Sequence, residues 1–224
     1  METWLYIQTE VFPALLRGFW VSIQLIVPSA TAGLAIGVLV GVLRVYGNSV
    51  LRAFADLYVV LFRGIPLVIQ LFIWYFGLPY FKIYFTPFIA SVLGFSLCSG
   101  AYHSEYIRGA LLSIKQGQTL AAESLGFNKV QMITSVILPQ AIRRALPGCG
   151  NEIIYLIKYS SLAYMITCIE LTGEGKILAS LSFRFTEIFL IVGVCYLVMT
   201  SFASLILVRF ERSLSIPGFE RQRT

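Results

Sequence analysis

The sequence predicts an all-α membrane protein that crosses the bilayer five times, and three observations predict it. Hydrophobic residues make up 58% of the 224 positions and charged residues only 12%, more apolar surface than a soluble domain of this length needs for its core. The mean hydropathy of +0.81 is concentrated in runs of about 20 residues, the length an α-helix needs to cross the hydrocarbon layer. β-Barrel spans would instead read as shorter alternating segments.

The five runs fall at about 11–43, 55–78, 88–112, 152–171 and 187–208, in one membrane domain, with a polar insert at about 115–148. The first run is read as mature chain. It has only Met1 and Glu2 where a secretory leader has its basic segment, and no small-residue cleavage site before the next span. Arg44, Arg52, Lys115, Lys129, Arg143, Arg144, Arg209, Arg212, Arg221 and Arg223 fall on one side of these spans. Arg17, Lys82, Lys176 and Arg184 fall on the other. Positive loops stay cytoplasmic, which places the N-terminus outside, the C-terminus inside and the insert in the cytoplasm. The formal net charge of +6 follows from this topology and calls for no nucleic acid. Cys98, Cys149, Cys168 and Cys195 lack metal-site spacing, and His103 is the single histidine, so the cysteines read as small buried hydrophobes.

In the first span Gly33, Gly37 and Gly41 share one helix face and invite close approach by another helix. Pro28 removes a backbone donor and predicts a kink. The second span carries Arg63-Gly64-Ile65-Pro66, an arginine beside a helix-breaking pair. Two readings stand for Arg63, snorkelling to the headgroups or facing a wet interior, and the following Gly-Ile-Pro favours a local break. The third span ends with Glu105 and Arg108, three residues apart and able to pair on a helix. His103 beside them reads as a packed or interfacial residue without an evident partner. The fourth opens with Asn151-Glu152 and carries Lys158 within it. Ionisable groups inside a span are functional candidates by default. Glu152 also fits the cytoplasmic boundary, and Lys158 fits a structural pair with a neighbouring carboxylate.

The insert reads as two short helices around a tight turn. Thr119 is placed to cap a helix over 120–125 that carries Glu123 and stops at Gly126 in a left-handed conformation. Asn128 is the natural cap of the next helix, with Gln131 at the capping-box position and Phe127 and Met132 spaced as a hydrophobic staple. Pro139 predicts an end near Leu138, and Pro147-Gly148 a second break. Leu120, Ala121, Ala122, Leu125 and Phe127 are apolar with no lipid to meet, which predicts a partner protein. An interfacial helix would favour a strongly basic polar face, which Gln118, Glu123 and Ser124 do not provide.

With these residues in view, "LAAESLG" followed by "VILPQA" resembles the EAA loop in permease subunits of bacterial ABC importers. Ala121, Ala122, Gly126, Ile137 and Pro139 match that pattern, while Leu120 stands where the family usually has Glu. "FRGIPLVIQLF", "SGAYHSEYIRGAL" and "GNEIIYLIKYSSLAYMI" are similar to further signatures of the polar amino acid permeases, the histidine, glutamine, glutamate and arginine group. The resemblance covers about residues 15–210. It implies a type I ABC importer core of five transmembrane helices, paired with a second permease subunit as a homodimer or heterodimer in a bacterial or archaeal cytoplasmic (inner) membrane. It also implies two cytoplasmic ATP-binding subunits, an external solute-binding protein and a polar amino acid as cargo. The insert would be the coupling helix, with Leu120, Ala121, Ala122, Glu123, Leu125, Gly126 and Phe127 docking on the ATPase. Glu152 and Lys158, then Arg63 and Glu105, are the candidates for the substrate pathway, a positive cargo side chain suiting Glu152.

No phosphate loop occurs. "TGEGKI" lacks the leading glycine and the hydroxyl residue, so the chain is not read as an enzyme, and ATP with its Mg belongs on the partner. A membrane protease or transferase would need paired aspartates, a metal motif or a Ser/Lys dyad, none of which stands in the spans. An ATP-independent secondary transporter is the alternative, and it would show internal repeats with interrupted helices in both halves.

Overall fold

A computed structural model describes residues 5–214, all of whose regular structure is helical. The expectations resting on Met1, Glu2, Arg221 and Arg223 lie outside the described residues. A π-helical turn, Ile7–Val11, leads into α1, Phe12–Tyr46. Next come α2, Ser49–Gly64, and α3, Leu67–Phe72, the latter extended by a π-turn and a 3-10 turn to Phe81. The chain continues with α4, Pro87–Leu112, α5, Gln116–Ser124, and α6, Lys129–Gln131. A π-helical stretch, Met132–Ile137, joins α6 to α7, Leu138–Tyr159. A 3-10 segment, Ser160–Ile166, then leads to α8, Leu171–Ser182, and α9, Phe185–Leu214.

The most extensive helix contact is between α1 and α4, and it is made by glycine. A Cβ added to Gly33 would lie 3.1 Å from Ser99 Cβ, one on Gly41 would lie 2.7 Å from Ile107 Cγ2, and one on Gly37 would collide with His103 Cβ. Residue numbers rise together along both helices, so α1 and α4 run parallel, as expected of first and third spans with a return between them. Lipid tails are as apolar as the side chains, which leaves van der Waals contact and hydrogen bonding to hold membrane helices together, and small residues maximise both. α1 continues through Pro28 as one element of 35 residues.

By length and composition, Ile7–Tyr46 and Phe185–Ser213 qualify as membrane spans on their own. Two bent pairs qualify if each counts as one span: Ser49–Gly64 with Leu67–Phe81, bent by 102°, and Lys129–Ile166 with Leu171–Ser182, bent by 53°. The spans expected at 55–78 and 152–171 each fall within one of these bent pairs. The first break falls at Gly64-Ile65-Pro66, where the sequence placed it. Gln70 closes it, its Nε2 donating to Phe62 O at 3.0 Å and Ile65 O at 2.8 Å. Such replacement bonds are what allow an interruption at membrane depth. α4 is 26 residues long yet falls short of a lipid-facing span in hydropathy. It is the central helix, buried along Ala90, Ser91, Gly94, Phe95, Ser99 and Ser104, so protein rather than lipid surrounds its serines.

Around this pair, α2 crosses at the level of Val40 and Leu97, with Val59 in one cluster with Val40 and Tyr58 Oη donating to Leu97 O at 2.5 Å. After the turn, α3 follows α4 back toward Gly94, which faces Leu71. On the far side α7 runs antiparallel to α4, with Gly148 against Tyr106, and antiparallel to α9, with Gly150 against Leu207. Large apolar residues of α9, among them Leu190, Val194, Leu197 and Phe202, are exposed and face outward as lipid-contacting side chains do.

We predict that Gly37→Val lowers the thermal unfolding temperature in detergent by the equivalent of about 1–3 kcal/mol, because it overpacks the α1/α4 contact. Gly109→Ala, where an added Cβ meets nothing within 4 Å, leaves it unchanged. Equal behaviour of the two variants would remove the glycine contact from the account.

Candidate functional site

In and beside the helices, carboxylates and cations sort by how they are paired. Glu105 on α4 is a hub. Its Oε1 lies 2.7 Å from Arg63 Nη1 and 3.0 Å from Arg44 Nη1, and its Oε2 lies 3.0 Å from Arg108 Nε. The Arg44 contact is at ion-pairing distance without hydrogen-bond alignment. Arg44 Nε reaches Asp56 Oδ1 at 2.6 Å, so three guanidinium groups on α1, α2 and α4 share two carboxylates. The expected Glu105–Arg108 pair is present. Arg63 is held by Glu105 and lies over the Tyr102 ring at 5.3 Å. Arg44 and Asp56 were missed, since their pairing crosses from α1 to α2 and no local spacing announces it.

Glu170, also missed, is fully buried just before α8. It accepts from Gly173 N at 3.0 Å, Thr172 N at 2.9 Å and Tyr196 Oη at 2.9 Å, with Ser22 Oγ at 3.5 Å. It caps α8 and ties α1 to α9. An acidic residue just ahead of Leu-Thr-Gly was its sequence signal.

Glu152 is different. It is buried on α7 rather than at an exposed boundary, and no described cation pairs with it. Tyr106 of α4 lies against Gly148, about one turn before Glu152 on α7. Lys158 is six residues further along α7 and is not brought to the same face. It is exposed, points toward α9 and sits 4.3 Å over the Tyr155 ring. The structural carboxylate partner considered for it is not found among the described residues. A charge near the middle of a span costs about 2.5–3.5 kcal/mol on insertion scales, so an unpaired one calls for a function more than a paired one does. His103 is buried, with Nδ1 3.0 Å from Ser99 Oγ and 2.8 Å from Ser99 O, which supplies the partner the sequence did not reveal.

The insert is built largely as its capping residues dictate. Gly126 has φ +81°. Phe127 N donates to Ala122 O at 3.1 Å and Gly126 N to Glu123 O at 2.9 Å, the bond pair of a Schellman stop. Asn128 Oδ1 accepts from Gln131 N at 2.9 Å while Gln131 Oε1 accepts from Asn128 N at 3.0 Å, completing the capping box. Three expectations need correction. Thr119 is not the cap, because α5 begins at Gln116 after Lys115. Ala122 is not exposed; it is buried in a cluster with Ile107, Leu111, Met132, Ile133 and Ile137. The helix does not stop near Leu138 or at Pro147. The π-helical stretch widens the turn ahead of Pro139, which then occupies the first turn of α7, where its missing N–H is not needed, and α7 continues through Pro147.

Leu120, Leu125 and Val130 stay exposed, Leu125 by 76%, and Phe127 is partly exposed. Lys129 Nζ donates to Tyr46 O at 3.0 Å, capping the end of α1. Arg144 Nη1 donates to Ser113 O at 2.6 Å and Ser113 Oγ at 2.9 Å, capping the end of α4. Cations at helix C-termini complement the terminal carbonyls and the helix dipole. The insert thus offers an apolar outer surface while its inner side is fixed to the two central helices.

The family described as "Binding-protein-dependent transport system inner membrane component" matches residues 33–216, a stretch holding the break, the arginine hub, the insert and α7 to α9. The chain belongs to that family. Among its relatives, the glutamine transport system permease protein GlnP of Escherichia coli (strain K12) is 38% identical over 206 residues, 91% of this chain and 94% of GlnP. A crystal structure of an amino acid ABC transporter with histidines aligns with a TM-score of 0.84 at 32% identity, over 92% of this chain and 96% of that one. The MetNI methionine ABC transporter, in an inward-facing conformation, aligns at 0.80 and 21% identity over 93% and 99% and shares the fold. This permease is therefore an all-helical member of the ABC importer permeases.

We predict that Glu105→Gln, which leaves Arg44 with Asp56 and takes the carboxylate from Arg63 and Arg108, destabilises the permease by about 1.5–3 kcal/mol, the range for hydrogen bonds to charged groups. Arg108→Gln, on a partly exposed i,i+3 pair, should change stability by less than about 1 kcal/mol. Thermal unfolding in detergent separates them, and equal shifts would deny Glu105 its place as hub.

Proposed function

We propose that this chain is the membrane-spanning subunit of an ATP-driven importer of a polar amino acid, delivered from outside by a solute-binding protein and coupled to cytoplasmic ATPase subunits through the 117–148 insert. The observation that carries the reading is the insert, a doubly capped turn presenting Leu120, Leu125 and Val130 outward while Lys129 and Arg144 bind the ends of α1 and α4. A segment with no docking role has little use for rigid caps beneath an exposed apolar surface. The relatives support the cargo class, since one is named for glutamine and one aligned structure is an amino acid transporter with histidines.

In this reading the docking residues are Leu120, Ala121, Glu123, Leu125, Gly126 and Phe127. Ala122 acts from beneath as the packing anchor. Gly126 contributes its left-handed φ rather than a contact. The ATPase subunits bind and hydrolyse ATP with Mg; this chain supplies two arrangements of its helices, whose balance nucleotide and loaded binding protein each bias. A second permease subunit, identical or sister, completes the pathway in the cytoplasmic membrane. Family membership favours this reading over an ATP-independent transporter.

Along the pathway, Glu152 is the carboxylate available for cargo, because Glu105 and Glu170 are already committed to partners. Arg63 and Glu105 act together as the charged wall beside it. An unpaired carboxylate lined by tyrosines recognises a positive group by charge pairing and cation–π contact.

Two outcomes test the reading. Leu125→Asp should abolish co-purification of a P-loop ATPase from native membranes without lowering the thermal stability of the permease; retained ATPase would move docking away from the insert. In proteoliposomes with the ATPase and binding protein, Glu152→Gln should reduce uptake of a cationic relative to a neutral amino acid by about tenfold, roughly one charge-assisted hydrogen bond, with ATP turnover intact. An unchanged preference would remove Glu152 from the pathway.

A further inference from the structure

Lys158 lies on the last turn of α7, facing the middle of α9. With Ile154, Thr200, Ser201, Ser204 and Leu205 it lines a groove of about 530 Å³. Thr200 and Ser201 sit midway along the 30 residues of α9, about 22 Å from either end at 1.5 Å per residue. Lys158 thus lies beside the middle of α9, away from both of its ends.

The surrounding groups are matched to a negative ligand. Thr200 Oγ1 donates to Tyr196 O at 2.8 Å and Leu197 O at 3.1 Å, and Ser204 Oγ donates to Thr200 O at 2.8 Å, so their protons are committed to the backbone. Neither the Lys158 ammonium nor the Ser201 hydroxyl is engaged by an acceptor among the described residues. The Tyr155 ring, stacked on Tyr159 at 6.1 Å, holds the ammonium from one side at 4.3 Å. What remains is a preformed cation and a hydroxyl donor at the mouth of a groove with apolar walls.

We propose that the α7–α9 groove is an intramembrane anion site, in which Lys158 and Ser201 donate hydrogen bonds to a carboxylate or phosphate oxygen. The cargo source rests on the amino acid importer reading above, which supplies an α-carboxylate; the phosphodiester of a membrane lipid supplies the same chemistry independently. Glu152 faces another side of α7, so the groove is separate from the carboxylate assigned to positive groups.

The test uses the full transporter in proteoliposomes, with Lys158→Met, Lys158→Arg and Ser201→Ala, and reads amino acid uptake, ATP hydrolysis stimulated by the binding protein, and phospholipid retained in native mass spectra. If the site takes cargo, Lys158→Met lowers uptake about tenfold with ATP hydrolysis intact, Ser201→Ala lowers it less, and Lys158→Arg restores most of it. If the site takes lipid, uptake is preserved and Lys158→Met loses a phosphatidylglycerol molecule that wild type and Lys158→Arg retain. Wild-type uptake and lipid retention in Lys158→Met would overturn the proposal. Should wild type itself show no ATP-dependent uptake, the importer reading fails, and lipid retention, which needs no ATP, decides the groove alone.

Discussion

Everything in this fold is arranged around the close parallel contact of α1 and α4. Gly33, Gly37 and Gly41 bring the α1 backbone onto Ser99, His103 and Ile107 at a separation that any larger residue would prevent. That contact turns α4 into a helix surrounded by protein, which is why it can carry serines, a buried histidine and the Glu105 hub at membrane depth. α2 then crosses the pair and delivers Arg63 and Asp56 to charges already in place, while α7 and α9 close the other side. Removing hydration from the interior makes each of these charge placements consequential, because an ion there must be paired or exposed to a wet route.

The sorting of charges follows from this. Glu105 and Glu170 belong to the frame, one gathering arginines from three helices and the other joining α1, α8 and α9. Glu152 and Lys158 share α7 but not a face, and neither has an opposite charge to balance it among the described residues. A single helix thereby presents one negative and one positive group to different surroundings.

Much of this was legible in the sequence wherever the governing interaction is local. The glycine spacing of α1, the break at Gly64-Ile65-Pro66, the left-handed Gly126, the Asn128–Gln131 box and the Glu105–Arg108 pair are each written within a few residues. Long-range features were not legible. Nothing near Arg44 announces Asp56 or Glu105, and nothing near Glu170 announces Tyr196. Ala122 was misjudged because its burial depends on Met132 and Ile133 folding back over it. Pro139 and Pro147 misled for a different reason: proline ends a helix only if its neighbours cannot adjust, and the π-helical stretch is that adjustment. The candidate pathway residues were recognisable as ionisable groups in apolar runs, but which of them are satisfied depends on partners from other helices.

The two bonds from the insert have a mechanical corollary. Lys129 holds the end of α1 and Arg144 the end of α4, and these helices are themselves interlocked along their glycine face. A push on the insert therefore enters both helices at the same end and in the same direction. They can tilt together as one strut, but they cannot slide past one another without breaking a cap or lifting Gly37 off His103. The stiffness of the central pair thus leaves relative movement to the joints, the 102° turn after α2 and the 53° bend before α8.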